Sequence, residues 1–331
     1  MNQKTLGQTG LTISSIGLGL AALGRPGYIT IGHADDVGDR HDVESMQAHA
    51  SQVLDAAWDL GIRYFDAARS YGLAEQFLSQ WLFSNGLKPD SLTVGSKWGY
   101  TYTANWQTQA AVHEVKDHSL PVLERQYNES RGLLNGYLKL YQVHSATLES
   151  GIFENPTVLN KLAHLKQDGL AIGLTLSGPK QSETLERAVT IIIDGQHLFD
   201  TVQVTWNLLE RSTSAILQDV HAAGMGVIVK EALANGLLTS RNNDPRFADR
   251  LTKLHVQADR LHTTIDALAL AGVMAQPWAD VVLSGAATVD QLRSNIAALA
   301  VPWDAEAADS LADLIESPES YWDTRKNLVW N

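Results

Sequence analysis

Short apolar runs and amphipathic stretches alternate along the chain, and they predict strands and helices in turn. Eight apolar runs have the length expected of buried strands, and they are centred near Leu18, Tyr64, Val94, Tyr141, Ile172, Val202, Val227 and Val281. Helical spacing lies between these runs, for example at Leu159, Leu162 and Leu165. Because strands alternate with helices without a break in composition, we expect one parallel closed sheet in a single α/β domain over residues 1–331.

The two ends of the chain depart from this alternation. Near the N-terminus, β-formers at residues 4–6 and 11–13 flank the sequence Gly-Gln-Thr-Gly, which predicts a hairpin. Near the C-terminus, residues 304–316 have helical spacing, and Pro318 is expected to end this helix. The tail at 321–331 is aromatic, although chain termini are usually frayed. It is therefore expected to dock on its own domain or to cap a pocket.

Polar side chains at the ends of three successive predicted strands suggest a catalytic site. Asp66 ends one strand and is followed by Tyr71, while Lys97 and His144 end the next two. In a parallel barrel, chemistry occurs at the carboxyl ends of the strands. Reduction of a carbonyl needs an acid for the new alkoxide and a group that orients the carbonyl oxygen. The alternative interpretation is that these four residues only pack inside the barrel or form hydrogen bonds with their neighbours.

The chemistry of the side chains assigns a role to each of these four residues. Free tyrosine has a pKa of about 10, which is high for an acid–base group at neutral pH. A nearby ammonium lowers this pKa, and a buried carboxylate keeps the ammonium charged. We therefore predict Tyr71 as the general acid, Lys97 as the group that lowers its pKa, and Asp66 as the partner of Lys97. His144 is predicted to donate a hydrogen bond to the substrate oxygen.

The motifs around these residues resemble those of the aldo-keto reductases. The similarity is carried by residues 65–72, by Lys97 at its strand end and by residues 140–144, and it extends from about residue 4 to about residue 300. It implies a (β/α)8 TIM barrel with an N-terminal β-hairpin across its bottom and a C-terminal helical extension. It also implies an oxidoreductase that transfers a hydride between NAD(P)(H) and a small carbonyl compound.

The resemblance places the nicotinamide half of the cofactor against strands from both halves of the chain. It implies close backbone approach at Gly19 and Leu20, and contacts to the carboxamide by Thr175 and Gln203. Trp206 corresponds to an aromatic residue that stacks on the ring. One departure is Leu176, which stands where an amide side chain is usual and offers no hydrogen bond; Ser177 is a possible substitute.

The resemblance implies that the remaining cofactor contacts lie after residue 230. The loop that contains Leu233 and Gly236 corresponds to the loop that covers the pyrophosphate. The adenosine contacts correspond to Gly285, Thr288, Gln291 and Asn295, at the start of a helix whose N-terminus favours anions. Many relatives carry a basic residue here, but residues 285–287 and 291 are uncharged. We therefore expect NADP to be favoured only modestly over NAD, which is not excluded.

Composition narrows the class of function further. The formal net charge of −12 argues against a nucleic-acid-binding surface. The absence of cysteine excludes disulfides, thiol chemistry and cysteine-based metal sites. The N-terminus is unlike a signal peptide, and no apolar run approaches 18 residues, so a cytoplasmic location without membrane association is the default expectation. The histidines and aspartates at 24–43 fit a solvated acidic loop better than a metal site, and no metal is expected.

Two alternative functions use the same residues. The same site could catalyse the reverse reaction, oxidation of an alcohol, as an NAD-linked dehydrogenase of an aldose or another sugar. This alternative is open because some aldo-keto reductases are aldose dehydrogenases. The chain could also be a cofactor-binding regulatory subunit, because other relatives serve potassium channels as β-subunits. The sequence leaves the natural substrate, a small carbonyl compound or a sugar, and the oligomeric state open.

Overall fold

The structure, a computed structural model, describes residue 1 and residues 3–331 of the chain. Its strands are β1 (Gln3–Thr5), β2 (Thr12–Ser14), β3 (Ile16–Gly19), β4 (Tyr64–Asp66), β5 (Thr93–Trp98), β6 (Tyr100–Tyr102), β7 (Glu114–Lys116), β8 (Leu138–Ala146), β9 (Ala171–Leu176), β10 (Ile192–Ile193), β11 (Gln196–His197), β12 (Thr201–Thr205), β13 (Gly226–Lys230) and β14 (Val281–Ser284). Parallel pairing closes the barrel in the order β12-β13-β14-β3-β4-β5-β8-β9. The eight strands predicted from apolar runs are therefore confirmed as the barrel strands.

Helices follow the barrel strands and surround the sheet. They are α1 (His33–Val37), α2 (Val43–Asp59), α3 (Ala74–Ser84), α4 (Leu120–Leu134), α5 (Pro156–Gln167), α6 (Gln181–Val189), α7 (Ser214–Ala222), α8 (Ala248–Arg260), α9 (Ile265–Met274), α10 (Val289–Ala297), α11 (Ala305–Ser310) and α12 (Pro318–Lys326). The helix α2 shows why they pack as they do, since its buried face is Met46, Ala50, Val53, Leu54 and Ala57. This three- and four-residue spacing gives one apolar stripe toward the sheet, as expected for a (β/α)8 barrel.

The predicted N-terminal hairpin closes the bottom of the barrel. The β1–β2 pair is antiparallel, and the backbone N–H of Gln8, in its turn, donates to the carbonyl of Gly224 at 2.9 Å. Gly7 has a φ of +48°, and a Cβ added to it would lie 2.4 Å from the nitrogen of Gly226. Leu6 and Ile13 are fully buried. The hairpin therefore plugs the end of the barrel opposite the predicted site.

The C-terminal helices differ from the prediction at Pro318. The helix expected over residues 304–316 ends at Ser310, and Pro318 begins the next helix instead of ending one. Proline is well suited to the first helical position, because the N–H that it lacks would have no helical partner there. The side chain of Ser317 accepts a hydrogen bond from the N–H of Ser320 at 3.2 Å, so a cap favours this boundary.

The tail docks against the loop that follows β3. The backbones of Tyr28 and Asn331 exchange two hydrogen bonds of 3.0 Å. The indole of Trp330 stacks on the ring of His113 with 3.8 Å between centroids. The tail is thus held on the domain by backbone pairing and by aromatic packing.

The acidic loop at 24–43 is ordered, and the interpretation of a solvated loop is wrong for two of its residues. His33 and Asp36 are buried. Asp36 accepts two hydrogen bonds from Arg241, at 2.7 and 2.5 Å, and one from Gln291 at 2.8 Å. The loop therefore ties the segment after β13 to the first turn of α10. Residues 1 and 3–331 contain neither a group of three or more potential metal ligands nor a helix long and apolar enough to span a membrane.

Candidate active site

A cavity of about 1220 Å³ opens at the carboxyl ends of the barrel strands. At one end it is lined by residues from the ends of β4, β8 and β12, and at the other by the start of α10. The loop after β3, the loop after β13 and the C-terminal tail form its walls. Its volume and its mixed polar and apolar lining suit an organic ligand.

Three of the four predicted catalytic residues meet at a buried ion pair. Lys97 and Asp66 are both nearly inaccessible, and the ammonium of Lys97 donates to Oδ2 of Asp66. The same Nζ lies 3.0 Å from the carbonyl oxygen of Ala67 and 3.3 Å from Oη of Tyr71. The other oxygen of Asp66 accepts from Nε2 of Gln203 at 2.9 Å. The ammonium is therefore positioned to stabilise negative charge on the oxygen of Tyr71.

His144 lies beside Tyr71 and is neutral. The two rings are nearly perpendicular, with 5.6 Å between their centroids. Burial, together with the charges of Lys97 and Lys230, lowers the pKa of His144 well below 6.5. Oγ of Ser70 lies 3.4 Å from Nδ1, and a hydroxyl that donates there leaves the ring proton on Nε2. His144 can therefore donate a hydrogen bond but holds no extra proton to transfer.

The pKa of Tyr71 moves in the direction opposite to our expectation. Burial raises it well above 10, the charge of Asp66 acts in the same direction, and Arg25 opposes them. The prediction that Lys97 lies beside Tyr71 is correct. The prediction of a lowered pKa is wrong because it neglected the burial of the phenol, which disfavours the phenolate. Tyr71 consequently keeps its proton at neutral pH, which is the form that an acid requires.

Most of the predicted cofactor residues line the cavity. These are Gly19, Gln203, Leu233, Gly236, Gly285, Gln291 and Asn295. Leu20 is instead a core residue, and Thr288 caps α10 by accepting from the N–H of Gln291 at 3.3 Å. Thr175 is fully buried, and its hydroxyl accepts from the N–H of Ser145 at 2.7 Å. Ser177 lies at the cavity in place of Thr175.

The predicted stacking role of Trp206 needs correction. Successive side chains of a strand point to opposite faces, so the inward direction of Gln203 sends the side chain three positions later outward. The indole of Trp206 packs against Trp278 with centroids 5.4 Å apart, and its Nε1 donates to Oγ of Ser214 at 2.9 Å. Trp206 is thus part of the packing between barrel and helices. Lys230, on the neighbouring strand, lines the cavity instead.

The end of the cavity near Tyr71 also contains residues that the sequence did not single out. Arg25 is 3% exposed, and its guanidinium lies 5.4 Å from the ring centroid of Tyr71 and 4.8 Å from that of Trp330. Its Nη1 donates to Glu114 at 3.2 Å. Arg25 lies in a loop, where no hydrophobic periodicity could have indicated its place in the cavity. For Trp330, the aromatic composition of the tail did indicate that the tail packs on the domain.

A second ion pair joins the cavity to the C-terminal helix. Nε and Nη2 of Arg325 donate to Glu231 at 2.9 and 2.5 Å. Burial alone would raise the pKa of Glu231, but Arg325 and Lys230 outweigh it and lower that pKa to about 2. Burial also lowers the pKa of Lys230 to about 8. The loop after β13 is therefore held to α12 by charge.

We expect Glu231→Gln to lower the free energy of unfolding by about 2 kcal/mol at neutral pH, the scale of a charged hydrogen bond. The pKa of Glu231 is lower in the folded chain than its ordinary value of 4.5. Its contribution is therefore complete above that value and is lost as the pH falls toward about 2. Urea unfolding of both proteins at several pH values should show the difference shrinking below pH 4.5. The exposed Glu186→Gln is the control, and a difference independent of pH would contradict the assignment.

Comparison with known proteins places the chain among oxidoreductases. The sequence model of the Aldo/keto reductase family matches residues 15–316. The chain is 24% identical to the uncharacterized oxidoreductase YrpG of Bacillus subtilis (strain 168), over 97% of this chain and 99% of that protein. It is also 24% identical to the pyridoxal 4-dehydrogenase of Microbacterium luteolum, over 89% and 92%. The holo structure of aldo-keto reductase AKR11C1 from Bacillus halodurans superposes with a TM-score of 0.72, at 23% identity, over 96% of this chain and 97% of that one.

Proposed function

Because the chain belongs to the aldo/keto reductase family, we propose that it is an NAD(P)(H)-dependent enzyme that reduces the carbonyl group of a small aldehyde or ketone. The observation that carries this proposal is the contact of Lys97 with both Asp66 and Tyr71 at the end of the cavity. This group supplies a proton donor and a charge that stabilises the donor after it has lost the proton. We also propose that residues 1–331 act as one domain.

The residues of the cavity fit a nicotinamide dinucleotide. The side chain of Asn235 lines the cavity and is 7% exposed, and its buried Oδ1 lacks a hydrogen-bond partner. A Cβ added at Gly285 would meet no atom within 4 Å, so the wall is open where a ligand must approach the backbone. Gln203 would hold the nicotinamide end, the loop with Leu233 and Gly236 the pyrophosphate, and Asn295 the adenosine. When bound, the nicotinamide supplies the hydride to the carbonyl carbon.

The protein contributes the proton and the orientation of the substrate. Nε2 of His144 donates a hydrogen bond to the carbonyl oxygen and orients the group toward Tyr71. Tyr71 then gives its phenol proton to that oxygen as the oxygen gains charge. The ammonium of Lys97, 3.3 Å away, stabilises the resulting phenolate, and Asp66 holds the ammonium in place.

The protonated form of Tyr71 is the form that reduction uses. A sugar dehydrogenase would need Tyr71 to accept a proton, and therefore to be a phenolate at the start of the reaction. Burial keeps Tyr71 protonated instead. A regulatory subunit would need no proton donor, so the intact group supports an enzyme.

Turnover measurements test the proposed function directly. The purified protein is mixed with NADH or NADPH and a panel of aldehydes, ketones and aldoses, and the absorbance of the reduced nicotinamide is followed. Pyridoxal belongs in the panel because one relative is named for it. We expect consumption of reduced cofactor with at least one carbonyl compound. Cofactor binding without turnover of any substrate, in either direction, would instead favour the regulatory subunit.

A further inference from the structure

The end of the cavity farthest from Tyr71 has an acidic wall. It is formed by the last turn of α8, the start of α9, the first turns of α10 and the segment 239–241. The titratable side chains that line this end are Arg241, His255, Asp259, Asp266 and Asp290. Three carboxylates therefore face one guanidinium where the adenosine half of a dinucleotide is expected.

The single guanidinium on this wall is already paired. Both terminal nitrogens of Arg241 donate to Asp36, at 2.7 and 2.5 Å, and the side chain of Asp36 is 5% exposed. Arg293, the nearest basic residue on α10, is 67% exposed and lies 3.8 Å from Asp290. It does not line the cavity. Among the described residues that line this end, Arg241 is thus the one arginine or lysine, and it is matched by a carboxylate.

Asp266 is fixed in a position where it can accept hydrogen bonds. Oγ of Ser294 donates to Oδ2 of Asp266 at 2.6 Å, and both residues line the cavity. A carboxylate accepts hydrogen bonds from hydroxyl or amino groups, such as those of an adenosine, but it repels a phosphate. In other dinucleotide sites a carboxylate accompanies the ribose hydroxyl of NAD, whereas a basic residue accompanies the 2′-phosphate of NADP.

We propose that this acidic wall makes the protein selective for NAD(H) over NADP(H). The inference rests on the proposed function, because it concerns the cofactor of the same cavity. The 2′-phosphate carries up to two negative charges, and the partly buried Asp266 repels it while Gly285 offers no cation to compensate. Asp290 is 96% exposed and lies 3.8 Å from Arg293, so its charge adds little. With this like charge on the wall and no cation to compensate it, NADH should bind about tenfold more tightly than NADPH. This replaces the modest preference for NADP expected from the family resemblance.

Salt dependence of binding separates repulsion from attraction. The wild-type protein is titrated with NADH and with NADPH by fluorescence, at low and at high salt. Screening weakens repulsion, so the ratio of the two Kd values should move toward one as salt is added. If an arginine or lysine instead bound the 2′-phosphate, added salt would have the opposite effect, and NADPH would lose affinity faster than NADH. Equal or tighter binding of NADPH at low salt would overturn the inference.

Substitution at Gly285 tests whether charge causes the selectivity. Because a Cβ there meets no atom within 4 Å, Gly285→Arg places a cation on the wall without displacing the backbone. The Kd ratio should shift toward NADPH by about tenfold, the scale of one strong ion pair with a phosphate. Gly285→Gln is the matched control and should leave the ratio unchanged. An equal shift in both variants would mean that charge is not the cause.

Asp266→Asn tests the same inference by removing a negative charge from the wall. The substitution keeps the size of the side chain and removes its charge, so NADPH should bind several times more tightly relative to NADH. Circular dichroism of each variant verifies folding. A preference for NADPH in a protein that turns over carbonyl compounds contradicts this inference alone. Failure to bind either dinucleotide contradicts the proposed function, and this inference with it.

Discussion

Replacement of Tyr71 by phenylalanine should lower the rate of carbonyl reduction by about 10²–10⁴, the range supplied by general acid catalysis. The phenyl ring keeps the packing against His144, and the barrel is unchanged, so cofactor affinity should be almost unaffected. Only the proton donor at the carbonyl oxygen is lost. Single-turnover measurement of hydride transfer, with fluorescence titration of the cofactor, separates the two effects.

A second tyrosine provides the control for this experiment. Tyr127 lies on α4, outside the cavity, and packs edge-on to Tyr141. Tyr127→Phe removes a hydroxyl of the same kind and should leave the rate unchanged. Near-normal turnover by Tyr71→Phe would show that another group gives the proton.

Lys97→Met and Asp66→Asn should each lower the rate of reduction by at least about 10². Lys97→Met removes the charge that stabilises the phenolate of Tyr71, and Asp66→Asn removes the carboxylate that holds this charge in place. Since the two residues act through one contact, the double variant should lose less than the product of the two single losses. The rates of all four proteins, measured with saturating cofactor, test this coupling.

The same variants need a control for stability, because one charge left buried without its partner costs about 3–5 kcal/mol. Lys166 and Asp200 form an ion pair of 2.7 Å that is only partly buried and does not line the cavity. Lys166→Met and Asp200→Asn should change the free energy of unfolding but not the rate. If the two losses at Lys97 and Asp66 multiplied independently, these residues would not share a role.

The barrel was predictable because its strands are buried on both faces. Such strands appear as short continuous apolar runs, and the polar residues that interrupt them, such as Asp66 and Lys97, stand where each strand reaches the cavity. The direction of Trp206 was predictable by the same logic. Gln203 points inward, and the alternation of side chains along a strand already sends Trp206 to the other face.

Other features depend on contacts between distant parts of the chain. The pairs Arg25–Glu114 and Glu231–Arg325 form only after the barrel brings a loop and a strand, or a loop and a helix, together. The pKa of Tyr71 depends on how completely the folded domain buries the phenol. Pro318 shows a local ambiguity, because proline suits the first turn of a helix as well as the segment after its end.

The hairpin under the barrel sets the order in which a newly made chain can acquire its structure. Leu6 and Ile13 leave the ribosome long before several of their packing partners, among them Ile228 and Val281, are translated. The strand β3 likewise has to wait for β14, its neighbour in the closed sheet. Until then the nascent chain carries an unpaired strand edge and an exposed apolar hairpin, both of which promote aggregation. Chaperone binding should therefore persist until β14 has emerged from the exit tunnel.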